Sequence, residues 1–277
     1  MVSIALTPIR TRKITTIALS MLTVIALLAV LAPILPLARP TEQNLSEYLL
    51  PPSRHHWFGT DDLGRDIFSR TVWGARLSLI AGTVPVLLAL AVGLILGLLA
   101  AYYGGVLEQV IMRLTDFLLS IPYFLIALIV VSVLGPGLVN AMVAIAIGLL
   151  PSFMRLSRAS ALVARGAPYV LAAHSMGMVA GRIMFIHILP NIVSPLVVFS
   201  AIKVGESILA AAALSFLGLG AQPPTPEWGL MLTNARELVL SAPHAVIFPS
   251  IALSATVLAF NLLADELRDQ LDPRYRY

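Results

Sequence analysis

The chain has 277 residues, of which 58% are apolar or aromatic (AVILMFWYC) and only 12% are charged, with a formal net charge of +4. Soluble domains carry roughly 25% charged residues, so this composition predicts one integral membrane domain and leaves no room for a separate soluble catalytic domain. The sequence contains no cysteine, which excludes disulfides, thiolate metal sites and cysteine nucleophiles.

The first apolar run covers residues 14–37 and follows a basic N-terminal tail, residues 1–13. A helix of this length crosses a hydrocarbon core of about 30 Å. A cleaved signal peptide is the competing interpretation, but its apolar core has only about 7–15 residues. The longer run therefore favours an uncleaved transmembrane helix.

A polar segment, residues 38–75, comes next and is rich in proline, glycine and charge. Such a backbone cannot lie in lipid without unsatisfied polar groups, so we expect an external segment. Residues 76–265 then hold five further apolar runs, at about 77–101, 114–134, 138–157, 191–214 and 245–264. The sequence thus predicts an all-α membrane protein with six transmembrane helices and a C-terminal tail, residues 266–277.

Proline and glycine mark points of helix geometry within these runs. Pro122, Pro195 and Pro249 fall within or beside apolar runs, and proline removes one backbone donor, so each can kink its helix. Gly93 and Gly97 form a GxxxG pattern in the second run. That pattern permits two helices to approach closely.

Basic residues indicate the orientation, because lysine and arginine are retained near the cytoplasmic ends of membrane spans. More of them lie on the cytoplasmic side if both termini are inside, although the external segment also carries several arginines. We therefore expect both termini in the cytoplasm. This orientation also puts residues 159–190 there.

Residues 159–190 form the longest polar-punctuated stretch between two apolar runs. Pro168 suits the first turn of a helix, and Gly177 can end that helix in a left-handed conformation. This spacing predicts a helix of about two to three turns. Ala172 and Ala173 leave its middle with almost no side chain, so we expect another protein's surface to approach the backbone closely.

Four stretches together resemble one family, the membrane subunits of binding-protein-dependent ABC importers for dipeptides, oligopeptides and nickel. They are HHWFGTDDLGRDIFSR (55–70), MRLTDFLLSIP (112–122), ALSFLGLGAQPPTPEWGLML (213–232) and FNLLADELRDQLDPR (260–274). They stand in the order that the family has them, and the likeness covers residues 55–275. It implies the architecture of a type I ABC importer permease with a cytoplasmic coupling helix.

The segment 159–190 then resembles the family's coupling loop, whose pattern is Glu-Ala-Ala, a glycine four residues after the second alanine, and a later His-x-x-Pro. The matching positions here are Leu171, Ala172, Ala173, Gly177, His187 and Pro190. The resemblance implies that this helix, with Pro168 and His174, sits in a groove on an ATPase subunit and passes its closure to the spans. Leu171 replaces the glutamate, so apolar contact replaces a charge-assisted hydrogen bond typically worth about 1.5–3 kcal/mol.

Energy for transport must come from partners, because the chain has no GxxxxGK(S/T) motif for binding ATP by a P-loop of its own. The resemblance implies two ATP-binding subunits that use ATP and magnesium, a second related permease and an external solute-binding protein. We expect a transport subunit without enzymatic activity or a bound cofactor, in a bacterial or archaeal plasma membrane. It would form half of an alternating-access pathway for di- and oligopeptides. Nickel or a nickel chelate is the alternative cargo, since the motifs mark the family and not the solute.

Lys203 and Glu206 lie in the fifth run at spacing i, i+3, which places them on one helix face. A charge at membrane depth costs at least about 2.5–3.5 kcal/mol, so both should face protein or a wet cavity. Two roles stay open, a lining of the transport pathway and a structural ion pair. A secondary transporter or channel that uses these residues for ion coupling is the remote alternative to an ABC permease.

Arg113 and Asp116 repeat this spacing at the start of the third run and predict a structural pair. His55 and His56 are adjacent in the external segment. Adjacent residues of an extended strand point to opposite faces, and no third ligand stands nearby, so we predict no metal site.

Overall fold

The computed structural model describes residues 7–271 of the chain, and their side chains from residue 16 to residue 270. Over this range the chain is helical, and its one β-type pairing is an isolated bridge between Thr60 and Asp66. The helices are α1 (Thr7–Leu31), α2 (Ile67–Tyr103), α3 (Gly105–Leu119), α4 (Tyr123–Leu134), α5 (Leu138–Arg165), α6 (Pro168–Ser175), α7 (Ala180–Arg182), α8 (Leu189–Phe216), α9 (Trp228–Ala235) and α10 (His244–Leu271). The predicted all-α class is confirmed.

Four helices of the described range are long and apolar enough to cross a membrane. They are α2, α5, α10 and the continuous helix Ala180–Phe216, in which a π-helical stretch joins α7 to α8. α3 and α4 together form a broken fifth candidate, and α1 contributes a shorter apolar helix, Thr16–Leu31. By length and composition, the described residues therefore contain four or five spans, where the sequence predicts six.

The first and last described helices extend into the predicted tails. α1 begins at Thr7, within the predicted tail 1–13, and α10 continues to Leu271, within the predicted tail 266–277. Residues 1–6 and 272–277 lie outside the described residues, as do the side chains of the basic residues in the N-terminal tail.

Helix boundaries around the external segment also differ from the prediction. α1 ends at Leu31 rather than near residue 37, because Pro33 lacks a donor and disfavours helical backbone in the residue before it. α2 starts at Ile67, well before the predicted run at 77–101, because the side chain of Asp66 caps its first turn. Asp66 Oδ1 accepts a hydrogen bond from the Ser69 N–H at 2.7 Å.

The third predicted run, 114–134, is not one straight helix. α3 and α4 meet at an angle of 91° across the break at residues 120–122. Pro122 has no N–H to continue the helix of α3, and it biases Ile121 toward extended backbone. Pro195 and Pro249, by contrast, lie inside the continuous helices α8 and α10.

α2 and α5 share the most extensive helix contact in the described chain. Gly93 and Gly97 make it possible, since a Cβ at Gly93 would lie 2.6 Å from the Phe153 Cβ. A Cβ at Gly97 would lie 2.6 Å from both the Met154 carbonyl oxygen and the Ser157 Cβ. This is the close approach that the GxxxG pattern permits.

α8 packs against the same pair of helices and against α10. Its contact with α2 is made by buried residues, with Ile208 against Gly82 and the Ser207 hydroxyl donating to the Ala81 carbonyl at 3.3 Å. α1 lies against α10 and α2. α8 itself packs against α2, α5, α9 and α10.

Candidate functional site

The short helix α6 begins and ends at the residues that the sequence indicates. Pro168 is its first residue, and Gly177 adopts a left-handed φ of +75° just beyond its end. The Gly177 N–H donates to the His174 carbonyl at 3.0 Å, and the Met178 N–H donates to the Ala173 carbonyl at 3.2 Å. These two bonds form a Schellman motif, which closes the helix by satisfying carbonyls at its end.

The two sides of α6 have opposite environments. Val170 and Ala173 are 3% and 1% exposed and belong to the chain's main hydrophobic core. Leu171 is 57% exposed, and Pro168, Ala172 and His174 are exposed as well. The expectation that both alanines lie open to a partner is therefore corrected for Ala173. Its position three residues after Val170 puts it on the inward face.

Exposed apolar side chains continue beyond α6. Met176 and Val179 are 74% and 70% exposed, in the same segment as Leu171. Exposed apolar groups concentrated in one segment are typical of a surface that contacts another protein or a membrane.

The His-x-x-Pro end of the predicted loop lies in the π-helical stretch Ile183–Ile188 and the start of α8. The Leu189 N–H bonds the Met184 carbonyl, five residues back. Pro190 follows and has no N–H to offer the helix. His187 is half-buried, with its ring centroid 6.5 Å from that of Tyr169 in α6. The loop 159–190 is thus largely helical, interrupted at residues 166–167 and 176–179.

Lys203 and Glu206 form an ion pair. Lys203 Nζ lies 2.6 Å from Glu206 Oε2, and it stands 5.1 Å from the centroid of the Phe199 ring. The Lys203 side chain is 16% exposed and the Glu206 side chain 37% exposed. Both charged side chains are therefore partly exposed, and each is paired with the other.

Asp116 pairs with a different residue from the one predicted. Its carboxylate accepts a hydrogen bond from Arg155 of α5, and Glu108 of α3 accepts from Arg158, whose Nε lies 2.7 Å away. Arg113 is exposed and makes no ion pair with another described residue. α3 packs against α5, so Arg155 of α5 reaches Asp116, which the spacing within α3 assigned to Arg113. These residues line a cavity of about 500 Å³.

A polar network on the external segment was not predicted. Arg70 is 1% exposed, and its Nη1 donates to the carbonyls of Pro40 at 2.6 Å and Pro224 at 3.3 Å. Asp61 Oδ2 lies 2.7 Å from Arg65 Nε and 3.5 Å from Arg70 Nε. The network ties the external segment to the start of α2 and to the loop before α9.

Of the two adjacent histidines, His56 contacts carboxylates. Its Nδ1 lies 2.9 Å from Asp66 Oδ2 and its Nε2 lies 3.5 Å from Glu47 Oε2. His55 is exposed. Because Asp66 also caps α2, His56 helps to hold the external segment against the first turn of that helix.

Glu227 is a second buried group that the sequence did not single out. It is 1% exposed and caps α9, with its two carboxylate oxygens accepting from the Gly229 and Leu230 N–H groups, both at 2.9 Å. Ser78 of α2 lies 3.4 Å from the same carboxylate. Burial raises the pKa of Glu227 above its ordinary value of 4.5.

The raised pKa predicts a pH dependence of stability. The folded chain holds the Glu227 proton more tightly than the unfolded chain, so the contribution of this group to stability is greatest below the ordinary value of 4.5 and is lost as pH rises through the raised pKa. We expect the stability of Glu227→Gln to decrease less with rising pH than that of wild type. The measurement is the Tm of detergent-solubilised protein between about pH 4 and pH 8. Glu42→Gln, at an exposed site of the external segment, is the matched control. Equal slopes of Tm against pH in wild type and Glu227→Gln would contradict the prediction.

Comparisons with known proteins agree on one family. A family model described as the binding-protein-dependent transport system inner membrane component matches residues 93–277. The dipeptide transport system permease protein DppC of Alkalihalophilus pseudofirmus is 46% identical over 97% of this chain and 88% of its own length. The glutathione transport system permease protein GsiD of Pectobacterium atrosepticum is 52% identical over 81% of this chain and 75% of its own length.

A third relative and a solved structure extend the comparison. The dipeptide permease DppC of Haemophilus influenzae is 45% identical over 94% of this chain and 90% of its own length. A chain from inward-facing conformations of the MetNI methionine ABC transporter superposes with a TM-score of 0.59, covering 73% of this chain and 96% of that one. At 19% identity this structural match shows a shared fold alone.

Proposed function

The chain belongs to the family of binding-protein-dependent transport system inner membrane components, and we propose that it forms half of the pathway through which an ABC importer moves di- and oligopeptides. It is a multi-pass inner-membrane protein and a transport subunit. The relatives described above are dipeptide and glutathione permeases, and glutathione is itself a small peptide. This supports a peptide cargo over nickel or a nickel chelate.

The observation that carries the coupling mechanism is the two-sided environment of α6. Val170 and Ala173 fix one side of the helix to the core, while Leu171 and Ala172 stand open on the other. The Schellman closure at Gly177 makes α6 a short unit with a defined end. A partner that moves the open side therefore moves the anchored side with it. Alternating access follows if this movement tilts α5 and α8 together.

In this proposal the partner at α6 is an ATP-binding subunit, and two such subunits supply energy from ATP and magnesium. A second related permease completes the pathway, and an external solute-binding protein delivers the peptide. Both termini and the coupling loop 159–190 lie in the cytoplasm, and residues 38–75 face outward. Leu171 provides an apolar contact, so the docking depends on shape more than on charge.

The test is reconstitution of the importer in proteoliposomes, with partner subunits identified by copurification from native membranes. We expect uptake of a labelled dipeptide only when both permeases, the ATPases, the binding protein and ATP are all present. Uptake by this chain alone, driven by an ion gradient, would instead favour a secondary transporter. Import of nickel or a nickel chelate without import of peptide would favour the alternative cargo.

A further inference from the structure

The Lys203–Glu206 pair stands near the middle of α8 (Leu189–Phe216). Lys203 lies 13 residues before the end of this helix, whereas every charged side chain in the described part of α2, α5 and α10 lies within ten residues of an end of its own helix. A charge that faces lipid near the centre of a bilayer is strongly unfavourable. The open fraction of these two side chains, 16% and 37%, therefore faces water or protein.

The bond between Lys203 and Glu206 joins no two helices of the described chain. The two ion pairs of α5 described above connect that helix to α3, and they have an evident structural role. Lys203 and Glu206 are three residues apart on one helix, so their bond holds no second element in place. A purely structural explanation thus leaves two costly charges at membrane depth whose mutual bond stabilises no contact between helices.

The two charges differ in their surroundings. Lys203 Nζ lies 5.1 Å from the centroid of the Phe199 ring, and that ring packs edge to face on Phe153 of α5 at 5.1 Å. The aromatic face offers the ammonium a second favourable contact when the carboxylate moves away. Glu206 is the more exposed partner, so an approaching cation meets its carboxylate first.

We propose that Lys203 and Glu206 form an exchange site for a zwitterionic peptide as it crosses the membrane. The Glu206 carboxylate takes the N-terminal ammonium of the peptide, and the Lys203 ammonium takes the C-terminal carboxylate. One internal ion pair is exchanged for two pairs with the cargo, so neither terminus loses its water without gaining an opposite charge. This inference rests on the proposed function, because it requires a cargo with two free ends.

The first test compares free and blocked peptides. The double variant Lys203→Met with Glu206→Gln removes both charges and keeps side chains of similar length. Uptake is measured with the same peptide-loaded binding protein for wild type and variant. The preference of the binding protein among peptides therefore cancels in the ratio of variant to wild-type uptake. We expect kcat/KM for a free dipeptide to fall about tenfold or more, the effect of losing a charge-assisted hydrogen bond. Uptake of the same peptide blocked at both ends, N-acetylated and C-amidated, should change far less, because it has neither charge to lose.

The control is Arg158→Met with Glu108→Gln, which removes a pair that joins two helices. A structural loss of this kind should lower the uptake of free and blocked peptides by the same factor. An equal loss for both peptides in the Lys203 and Glu206 variant would overturn the exchange site. Failure of the wild-type importer to move any peptide would instead contradict the proposed function.

The second test uses the absence of native cysteine. Ile202 is half-buried and lies four residues before Glu206, on the same helix face, so Ile202→Cys puts one thiol beside the pair and leaves both charges in place. Ser207→Cys puts a thiol at a fully buried position that bonds α2. We expect a water-soluble thiol reagent to label Ile202→Cys and not Ser207→Cys.

Protection by the cargo completes this second test. A free dipeptide at millimolar concentration should slow the labelling of Ile202→Cys several-fold, because the bound peptide covers the thiol. Adding Glu206→Gln to the same chain should abolish that protection. Absence of labelling at Ile202→Cys, or protection that survives Glu206→Gln, would overturn the proposal.

Discussion

Replacement of Gly97 by leucine is expected to remove most of the correctly folded chain from the membrane. A Cβ at this position would lie 2.6 Å from the Met154 carbonyl oxygen and 2.8 Å from the Arg158 backbone nitrogen. Both atoms belong to the backbone of α5, so no side-chain rotation relieves the clash. Overpacking of a core typically costs about 1–3 kcal/mol, and a leucine forced between two helix backbones should exceed that range. α2 and α5 must separate along their main contact.

The measurement is the fraction of monodisperse protein on gel filtration in mild detergent, together with its Tm. Gly181→Leu is the matched control, since a Cβ at this helical glycine would meet no atom within 4 Å. We expect the control to elute and melt like wild type. A Gly97→Leu protein with wild-type yield and Tm would contradict the close contact between α2 and α5.

The sequence predicts features that depend on a few neighbouring residues. Pro168 and Gly177 bound α6 correctly because a proline at a helix start and a glycine past its end are local requirements. The i, i+3 spacing of Lys203 and Glu206 also predicts their ion pair correctly, since both residues lie on one helix. Lys203 makes no ion pair with another acidic group of the described chain. For Asp116 the same spacing fails, because the packing of α3 against α5 brings an arginine of α5 closer.

Contacts between distant parts of the chain could not be predicted from the sequence. Arg70 donates to Pro224, a residue 154 positions away, and Glu227 contacts Ser78 across 149 positions. Both lie in stretches that carry the family resemblance, but the sequence of such a stretch does not indicate which distant residue a side chain contacts. Pro122 signals a break, but the 91° angle depends on how α3 packs against α5. A pattern in the sequence thus locates a bend without fixing its direction.

The sequence also does not show directly which of the two adjacent alanines of α6 faces the core. Successive residues of a helix differ by about 100° in direction, so Ala172 and Ala173 cannot share one face. The direction of the core decides which of them is open. Val170, three residues before Ala173, gives the one local signal for the inward face. This correction determines which substitution tests coupling.

Replacement of Ala172 by tryptophan is expected to lower peptide transport about tenfold or more while the chain folds normally. Ala172 is exposed, so the large ring extends into the surface that the ATP-binding subunit would occupy and not into the core. A bulky group in a close-fitting contact disrupts docking by steric clash. The measurements are copurification of the ATPase, its peptide-stimulated activity and uptake in proteoliposomes, with the Tm of the permease as the test of folding.

Two further variants separate coupling from folding. Ala173→Trp places the same ring in the core, so we expect a lower Tm along with the loss of transport. Leu240→Trp changes a residue that is 98% exposed in the region between α9 and α10, which the proposed orientation puts outside the cell, and should leave ATPase association intact. Normal ATPase association and transport in Ala172→Trp would contradict the docking role of α6. A loss of transport in Ala172→Trp at wild-type Tm, with normal transport in Leu240→Trp, would support α6 as the helix that transmits ATPase closure to the spans.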